Sequence, residues 1–194
     1  MRFNNYLAIA VVIMLSSCNV GESEKPSADK PQEYILVQSE QAFFDNLRSL
    51  CGKSFAGEES FIREGRESWA DKDFVMHVTV CEEDRVYIPF HVGEDKSRTW
   101  MFLVEDGKLR FRHDHRHEDG TPEDTTLYGG YSDSKGSDLI QCFPEDEYTI
   151  ELLSDHVSRQ WNIVLSEDMS TMTYELYADD ELVFAVEFDL TKPL

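Results

Sequence analysis

Three histidines occur at alternate positions between residues 113 and 117, in the string His-Asp-His-Arg-His. Successive side chains of a β-strand point to opposite faces, so His113, His115 and His117 would share one face of an extended chain. Leu109 and Phe111 fall on that face too, and apolar residues at this period point towards a core. We therefore expect the histidines to continue an inward face, where imidazoles can bind a metal ion or transfer protons near neutral pH.

A zinc site is one hypothesis for this histidine face. Neighbouring histidines on one face lie about 6.5 Å apart at Cα, and two such side chains can converge on one ion through bonds of about 2.0–2.1 Å. His113 and His117 would lie about 13 Å apart on a straight strand, so all three are not expected to bind one ion. A further ligand is expected among these residues: His91, His77, Glu118 and Asp119. No HExxH motif or other established zinc spacing accompanies them.

A structural role is the alternative that we favour for the same histidines. They would then form hydrogen bonds with acidic residues of the following loop and close the rim of the sheet: Asp119, Glu123 and Asp124. Arg112 and Arg116 would pair with carboxylates on the outer face. Catalysis without a metal is the weakest hypothesis, because Asp114 points to the face opposite its histidine neighbours and does not orient them.

The sequence contains none of the common catalytic fingerprints. It has no GxSxG nucleophile elbow, no phosphate-binding loop and no dinucleotide-binding glycine motif. The sequence does not contain a complete set of recognisable catalytic residues, which favours a protein that is not an enzyme.

The N-terminus is typical of a lipoprotein signal peptide over residues 1–17. Arg2 is followed by an unbroken apolar run at residues 7–15, which as a helix would rise about 14 Å, roughly half of the ~30 Å bilayer core. That length predicts a signal peptide rather than a membrane span. The run ends in Leu-Ser-Ser-Cys, which resembles the bacterial lipobox and predicts cleavage before Cys18 and acylation, such as palmitoylation, of that residue. An ordinary secretory signal cut nearby is the alternative.

Residues 18–33 are predicted to form a disordered acidic tether. They contain two prolines, many charges and few apolar residues, a composition that cannot bury enough apolar surface to fold. Asn19 follows the cysteine, and by resemblance to enterobacterial lipoproteins this favours the outer membrane, on its periplasmic or surface side. We therefore expect a protein of the bacterial cell envelope, attached to the membrane through lipid on Cys18.

The charge of the chain is strongly negative. Removal of residues 1–17, which carry Arg2 and no acidic residue, takes the net charge from −21 to −22. Such a charge repels nucleic acid and favours solubility and the approach of cations. It makes nucleic-acid binding the function that we exclude first.

Three cysteines remain once Cys18 is set aside: Cys51, Cys81 and Cys142. Outside the cytoplasm two of them are expected to pair. Cys51 ends the predicted first helix and Cys81 ends a predicted strand, which favours a disulfide between them and leaves Cys142 as a buried thiol. A three-cysteine metal site is not supported by any CxxC-type spacing.

Residues 34–194 have the length of a single domain with a substantial core. A helix is predicted over residues 39–50, where Phe43, Phe44, Leu47 and Leu50 share one face and Gly52 follows. A second short helix is predicted over residues 144–153, with a proline at its start and acidic residues in its first turn.

The remaining pattern is that of short strands. Apolar residues alternate over residues 74–80, 86–92, 100–104, 109–111, 161–165, 172–176 and 182–188, with turn signals between most of these runs. Short turns join antiparallel strands, and a long meander usually closes to remove its edges. We predict a mainly β fold, a lipocalin-like small barrel of about eight to ten strands with one N-terminal helix. A two-sheet β-sandwich is the alternative.

Four strings resemble those of a family of uncharacterised bacterial secreted proteins and lipoproteins. They are FHVGEDKSRTW at residues 90–100, HDHRHEDG at 113–120, LYGG at 127–130 and VEFDL at 186–190. The similarity extends from about Leu50 to the C-terminus. It implies that the histidine segment is a hallmark of the family and that Cys51 and Cys81 fit the family pattern, whereas Cys142 departs from it. The family has no known activity to transfer.

Two classes of function follow. The first is a non-enzymatic envelope barrel that binds a small ligand, a cell-wall component or an envelope protein. Trp69, Trp100 and Trp161 could line its cavity or fill the core, and Gly129 and Gly130 could admit a ligand or another strand close to the backbone, or form a turn or bulge. The second is a metal-binding protein or metal-dependent hydrolase, with zinc on His113, His115, His117 and His91.

Overall fold

The computed structural model of the protein describes residues 35–65 and 69–194. The predicted signal peptide (1–17), the lipidation site Cys18 and the tether (18–33) lie outside these residues. The elements of the described part are α1 Gln38–Arg48, β1 Ser54–Ile62, β2 Phe74–His77, β3 Val80–Cys81, β4 Arg85–Val92, β5 Asp95–Glu105, β6 Lys108–His115, β7 Tyr128–Tyr131, β8 Ile140–Pro144, α2 Glu147–Leu153, β9 Arg159–Leu165, β10 Thr171–Ala178 and β11 Glu181–Asp189. Neither helix is long and apolar enough to cross a membrane.

The strands form one antiparallel sheet that is nearly closed into a barrel. Its order is β7-β6-β5-β4-β2-β1-β11-β10-β9-β8, and β3 pairs with β4 beside this path. Two meanders, β4 to β7 and β8 to β11, are joined through β1, which pairs with both β2 and β11. The predicted antiparallel barrel with an N-terminal helix is therefore confirmed, and the chain does not form a two-sheet sandwich.

Alternation along the strands separates the inside of the barrel from the outside. In β4, Val86, Ile88 and Phe90 are buried, whereas Tyr87 and Pro89 between them are only partly buried. The same period holds in β6, where Leu109, Phe111, His113 and His115 are buried. The predicted inward face of the histidine segment is thus present.

Strands β7 and β8 are the two ends of the sheet path, and the barrel closes where they meet. The Asp146 N–H donates to the carbonyl of Gly129 over 3.0 Å. Gly130 permits this approach, because a Cβ added there would lie 1.8 Å from the carbonyl oxygen of Pro144. The glycine pair thus lets another strand come close to the backbone, one of the roles expected from the sequence.

Arg112, on the outer face of β6, stabilises the contact between β7 and β8, which we call the seam. Its guanidinium donates to both carboxylate oxygens of Asp146, and only 4% of the Arg112 side chain is exposed. Asp146 is also the N-cap of α2, where its carboxylate accepts a hydrogen bond from the Thr149 N–H. The Thr149 hydroxyl accepts from the N–H of Gly129 over 2.7 Å. One carboxylate and one hydroxyl therefore tie α2 to β6, β7 and β8.

Helix α1 packs against the end of the barrel at which β6 begins. Phe43, Phe44 and Leu47 on its apolar face are fully buried. Glu40, 1% exposed, accepts a hydrogen bond from the N–H of Leu109 over 3.2 Å. The helix therefore closes this end with apolar side chains and one satisfied carboxylate.

The disulfide between Cys51 and Cys81 is formed as predicted, with the two Cα atoms 6.1 Å apart. It links the segment after α1 to β3 across 30 residues of sequence. Cys142 carries a free thiol and is half-buried rather than fully buried, because it alternates with the inward-facing Gln141 and Phe143 of β8. Burial raises the pKa of the Cys142 thiol, which makes it a poor nucleophile.

Candidate ligand-binding cavity

A cavity of about 240 Å³ lies in the barrel, towards the end of β6 and the start of β9. Its walls come from eight segments of the chain, so it is a product of the closed fold. The lining residues are Trp69, Phe90, Arg98, Trp100, His113, Thr125, Tyr128, Leu153, Arg159, Trp161, Tyr174 and Leu176. Helix α1 lies at the other end of β6, so it does not cover this cavity.

Aromatic rings in stacked pairs form the walls. Trp100 is stacked against both Phe90 and Tyr174, with ring centroids 4.3 and 4.6 Å away. His113 is stacked on Tyr128 at 4.6 Å. These pairs fix flat surfaces in the cavity, and a flat ligand ring can add to such a stack.

His113 is a fully enclosed polar side chain of the wall, with 3% of its surface exposed. Its Nε2 lies 3.1 Å from the hydroxyl oxygen of Tyr174. Burial lowers the pKa of His113 well below its usual range, and the neighbouring His115 adds to the effect, so the ring is neutral. Its Nδ1 is buried and has no hydrogen bond of good geometry within the described residues, although the backbone of Tyr128 faces it. His113 therefore presents a neutral imidazole in the wall of the cavity.

His115 lies behind the cavity, on the same face of β6. Its Nε2 is 2.9 Å from the hydroxyl of Tyr128, and its Nδ1 is 3.9 Å from a carboxylate oxygen of Glu123. Burial, and then the charge of Arg98, lower the pKa of His115. Burial raises the pKa of Tyr128 to about 12. The histidines and tyrosines therefore form a neutral network near pH 7.

Two arginines line the cavity among these rings. Arg98 lies 5.2 Å from the ring centroid of Trp69 and pairs with Asp95. Arg159 pairs with Asp155. Against the effect of burial, hydrogen bonds from Ser97 and Arg98 lower the pKa of Asp95 to about 2. Each guanidinium is therefore partly compensated, and the cavity carries fixed polar groups without a large uncompensated charge.

The four predicted zinc ligands are divided between different environments. His113 and His115 face inwards and bond to tyrosine hydroxyls. His117 is exposed in the turn after β6. His91 alternates with Phe90 on the outer face of β4 and contacts His77. Among residues 35–65 and 69–194, no group of three or more His, Cys, Asp or Glu side chains is placed to hold a metal ion.

The expected acidic rim is present only in part. Glu123 approaches His115, whereas Asp119 accepts hydrogen bonds from Thr121 of its own turn. Arg116 pairs with Asp114 on the outer face as expected.

The three tryptophans considered as cavity residues do line the cavity. Sequence analysis did not identify Tyr174, Arg98 or Arg159 as site residues. Tyr174 lies on the inner period of β10, between the buried Met172 and the partly buried Leu176, so its inward direction could be predicted. Its meeting with His113 depends on closure of the barrel, which no local pattern encodes.

Comparisons with known proteins assign no family. No protein-family model matches the chain, and no curated protein or solved structure is significantly similar to it. The resemblance to uncharacterised secreted proteins therefore stays a prediction.

Proposed function

We propose that this chain is a lipid-anchored protein of the bacterial cell envelope whose barrel binds a small planar ligand without catalysing a reaction. The observation that carries the proposal is the aromatic cavity, in which stacked rings surround the neutral side chain of His113. Binding pockets combine apolar walls with a few fixed polar groups in this way. The alternative, a metal-dependent hydrolase on the histidine face, lacks a third ligand among the described residues.

The size of the cavity limits the ligand. An enclosed apolar cavity of about 150 Å³ holds benzene, whereas pockets for drug-sized molecules have about 300–1,000 Å³. A cavity of about 240 Å³ therefore suits one substituted ring or two fused rings. A cell-wall glycan or a protein segment would be larger than this space.

The polar groups of the cavity limit the charge that the ligand can carry. Among the described residues, the cavity is lined by the side chains of Arg98 and Arg159 and by no carboxylate, so a cationic ligand would meet two like charges there. Both arginines are already paired with aspartates. A neutral ring or a ring with a single negative charge is therefore the ligand class that the cavity favours.

The membrane anchor is supported by the sequence. The apolar run before Cys18 and the acidic, proline-containing residues that follow it would place the barrel outside the cytoplasm on a flexible tether. Cys18→Ser should release the protein from the membrane fraction, and mass spectrometry of the N-terminal peptide should find acyl chains on Cys18 of the unsubstituted chain. An unmodified Cys18 would refute the anchor.

Three small probes test the cavity by isothermal titration calorimetry: indole, benzoate and phenyltrimethylammonium. Indole or benzoate should bind, and the cation should not. At ten times its Kd a bound probe should raise stability by about 1.4 kcal/mol, and Tm by about 3–6 °C.

A blocked variant and its control locate the binding. Thr125 is exposed and lines the cavity, so Thr125→Trp should fill the entrance and abolish probe binding without loss of stability. Thr121 is exposed in the same loop but does not line the cavity, so Thr121→Trp should bind normally. Equal binding by both variants, or no binding of indole and benzoate by the unsubstituted chain, would refute the proposed site.

A further inference from the structure

Two histidines and a serine lie next to one another on the outer face of the barrel, away from the aromatic cavity. Ser54 of β1 pairs with His77 of β2 in the sheet register, and His91 lies on the neighbouring strand β4. The Ser54 Oγ is 2.7 Å from Nδ1 of His77, and the Nε2 of His77 is 3.1 Å from Nδ1 of His91. The three side chains form a continuous chain of contacts across three strands.

The separation of the two imidazole nitrogens is that of two ligands on one ion. Bonds of about 2.0–2.1 Å at angles between 90° and tetrahedral place two ligand nitrogens about 2.8–3.4 Å apart. The observed 3.1 Å lies within this range. Because the strands fix both backbones, only side-chain rotation is needed to turn both lone pairs towards one ion.

Ser54 can support the tautomer that a metal ligand requires. Its Oγ lies 2.7 Å from Nδ1 of His77 and can accept a hydrogen bond from an Nδ1–H, and the Nε2 of His77 then carries the lone pair. Metal-binding histidines usually have such a partner on the second nitrogen, which orients the ring.

The surroundings leave room for further ligands. The histidines line an open pocket of about 480 Å³ with Lys53, Ser54, Thr79 and Pro89, and water can enter it to complete a coordination shell. The net charge of −21 favours the approach of cations to the chain.

The same three residues also resemble a nucleophile, base and orienting group, but the pocket lacks the other parts of a hydrolase. An oxyanion hole needs free N–H donors beside the nucleophile. The N–H groups of Gly52, Val78 and Thr79 around the pocket already donate to carbonyl groups. Metal binding requires no such donors, so it is the chemistry that these residues favour.

We propose that His77 and His91 form a two-histidine site for a divalent transition metal on the outer face of the barrel, with Ser54 orienting His77 and water completing the coordination. Imidazole ligands suit copper and zinc, and copper is expected to bind more tightly. With two protein ligands instead of the four of a structural zinc site, the ion should exchange readily. The proposal does not depend on the aromatic cavity or its ligand.

The test uses the full chain, purified in detergent without a histidine tag and titrated with Cu²⁺ and with Zn²⁺ against a chromophoric chelator. We expect one equivalent of metal to bind. His77→Gln and His91→Gln should each abolish this binding, and Ser54→Ala should weaken it about tenfold. The matched control is His156→Gln, since His156 is exposed in a loop elsewhere and its loss should change nothing.

Electron paramagnetic resonance of the copper-loaded, unsubstituted chain gives a second answer that does not need a variant to fold. Hyperfine splitting from two imidazole nitrogens would support the site. The proposal is overturned if no stoichiometric metal binding is found, or if the hyperfine pattern shows a number of coordinated nitrogens other than two. It is also overturned if folded His77→Gln/His91→Gln protein still binds the metal. Probe binding in the aromatic cavity should be the same in all of these variants.

Discussion

The seam between β7 and β8 is the part of the barrel whose disruption has the most predictable result. Asp146 accepts two hydrogen bonds from the buried guanidinium of Arg112 and one from Arg110, and it caps α2. Asp146→Asn removes the charge while it keeps the size of the side chain, and asparagine is as good an N-cap as aspartate. The substitution therefore isolates the ion pair from the helix cap.

The expected loss follows from burial. Breaking a buried ion pair by removing one partner costs about 3–5 kcal/mol, because the other charge is left uncompensated. Arg112 is 4% exposed, but Asp146 is 19% exposed, which admits some water and places the expected loss near the lower bound. We expect Asp146→Asn to lower the free energy of unfolding by about 3 kcal/mol, and Tm by about 6–12 °C for a domain of this size.

Urea unfolding followed by tryptophan fluorescence measures this loss, since Trp100 and Trp161 are buried. Arg112→Met/Asp146→Asn should lose less than the sum of its two single variants, because the buried charge of Arg112 is then gone and Arg110 keeps its pair with Glu105. Arg116→Met is the matched control: Arg116 is 51% exposed in its pair with Asp114, so at most about 1 kcal/mol is expected. If Asp146→Asn costs no more than Arg116→Met, the pair does not hold the seam.

Three further predictions concern stability. Gly130→Ala should destabilise the protein by about 1–3 kcal/mol or more, because its Cβ would lie 1.8 Å from the Pro144 carbonyl oxygen; urea unfolding of a folded variant with unchanged stability would contradict this. Loss of the disulfide in Cys51→Ser/Cys81→Ser should cost about 3.5 kcal/mol for a loop that spans 30 residues, and added reductant should then have no further effect on the melting curve. The pKa of His113 is lowered in the folded protein, so the unfolded chain takes up a proton on this residue first as the pH falls through about 6.5. The free energy of unfolding should therefore drop from pH 7.5 to 5.5, by up to about 1.4 kcal/mol per pH unit. His113→Gln should show a smaller drop when its unfolding is measured over the same pH range.

The strands that could be predicted are those with one buried and one exposed face. In β4 the alternation of Val86, Ile88 and Phe90 with more polar neighbours is complete, and its position follows from the sequence. Strand β1 has one fully buried residue, Phe55, and its Gly57 leaves space that Phe188 of β11 fills. Because glycine has no side chain, an inward position occupied by Gly57 gives no apolar residue to the alternating pattern. Strand β1 therefore could not be identified from the sequence.

The site shows a similar limit. The direction of His113 and His115 could be predicted because it depends only on the alternation of β6. Their partners could not, since Tyr174 comes from β10 and Tyr128 from β7, which meet β6 only when the barrel forms. The disulfide was an intermediate case, in which the positions of two cysteines at the ends of elements sufficed.

The protonation states alone do not distinguish a ligand cavity from a metal site. Burial keeps His113 and His115 neutral, and neutral imidazole is also the form that binds metal. Hydrogen bonding does distinguish them, because the Nε2 of each ring is engaged by a tyrosine hydroxyl inside the barrel. Outside the barrel, the Nε2 of His77 contacts another imidazole, and a single ion can replace that contact. The inner histidines are therefore better suited to face a ligand, and the outer pair to bind a metal.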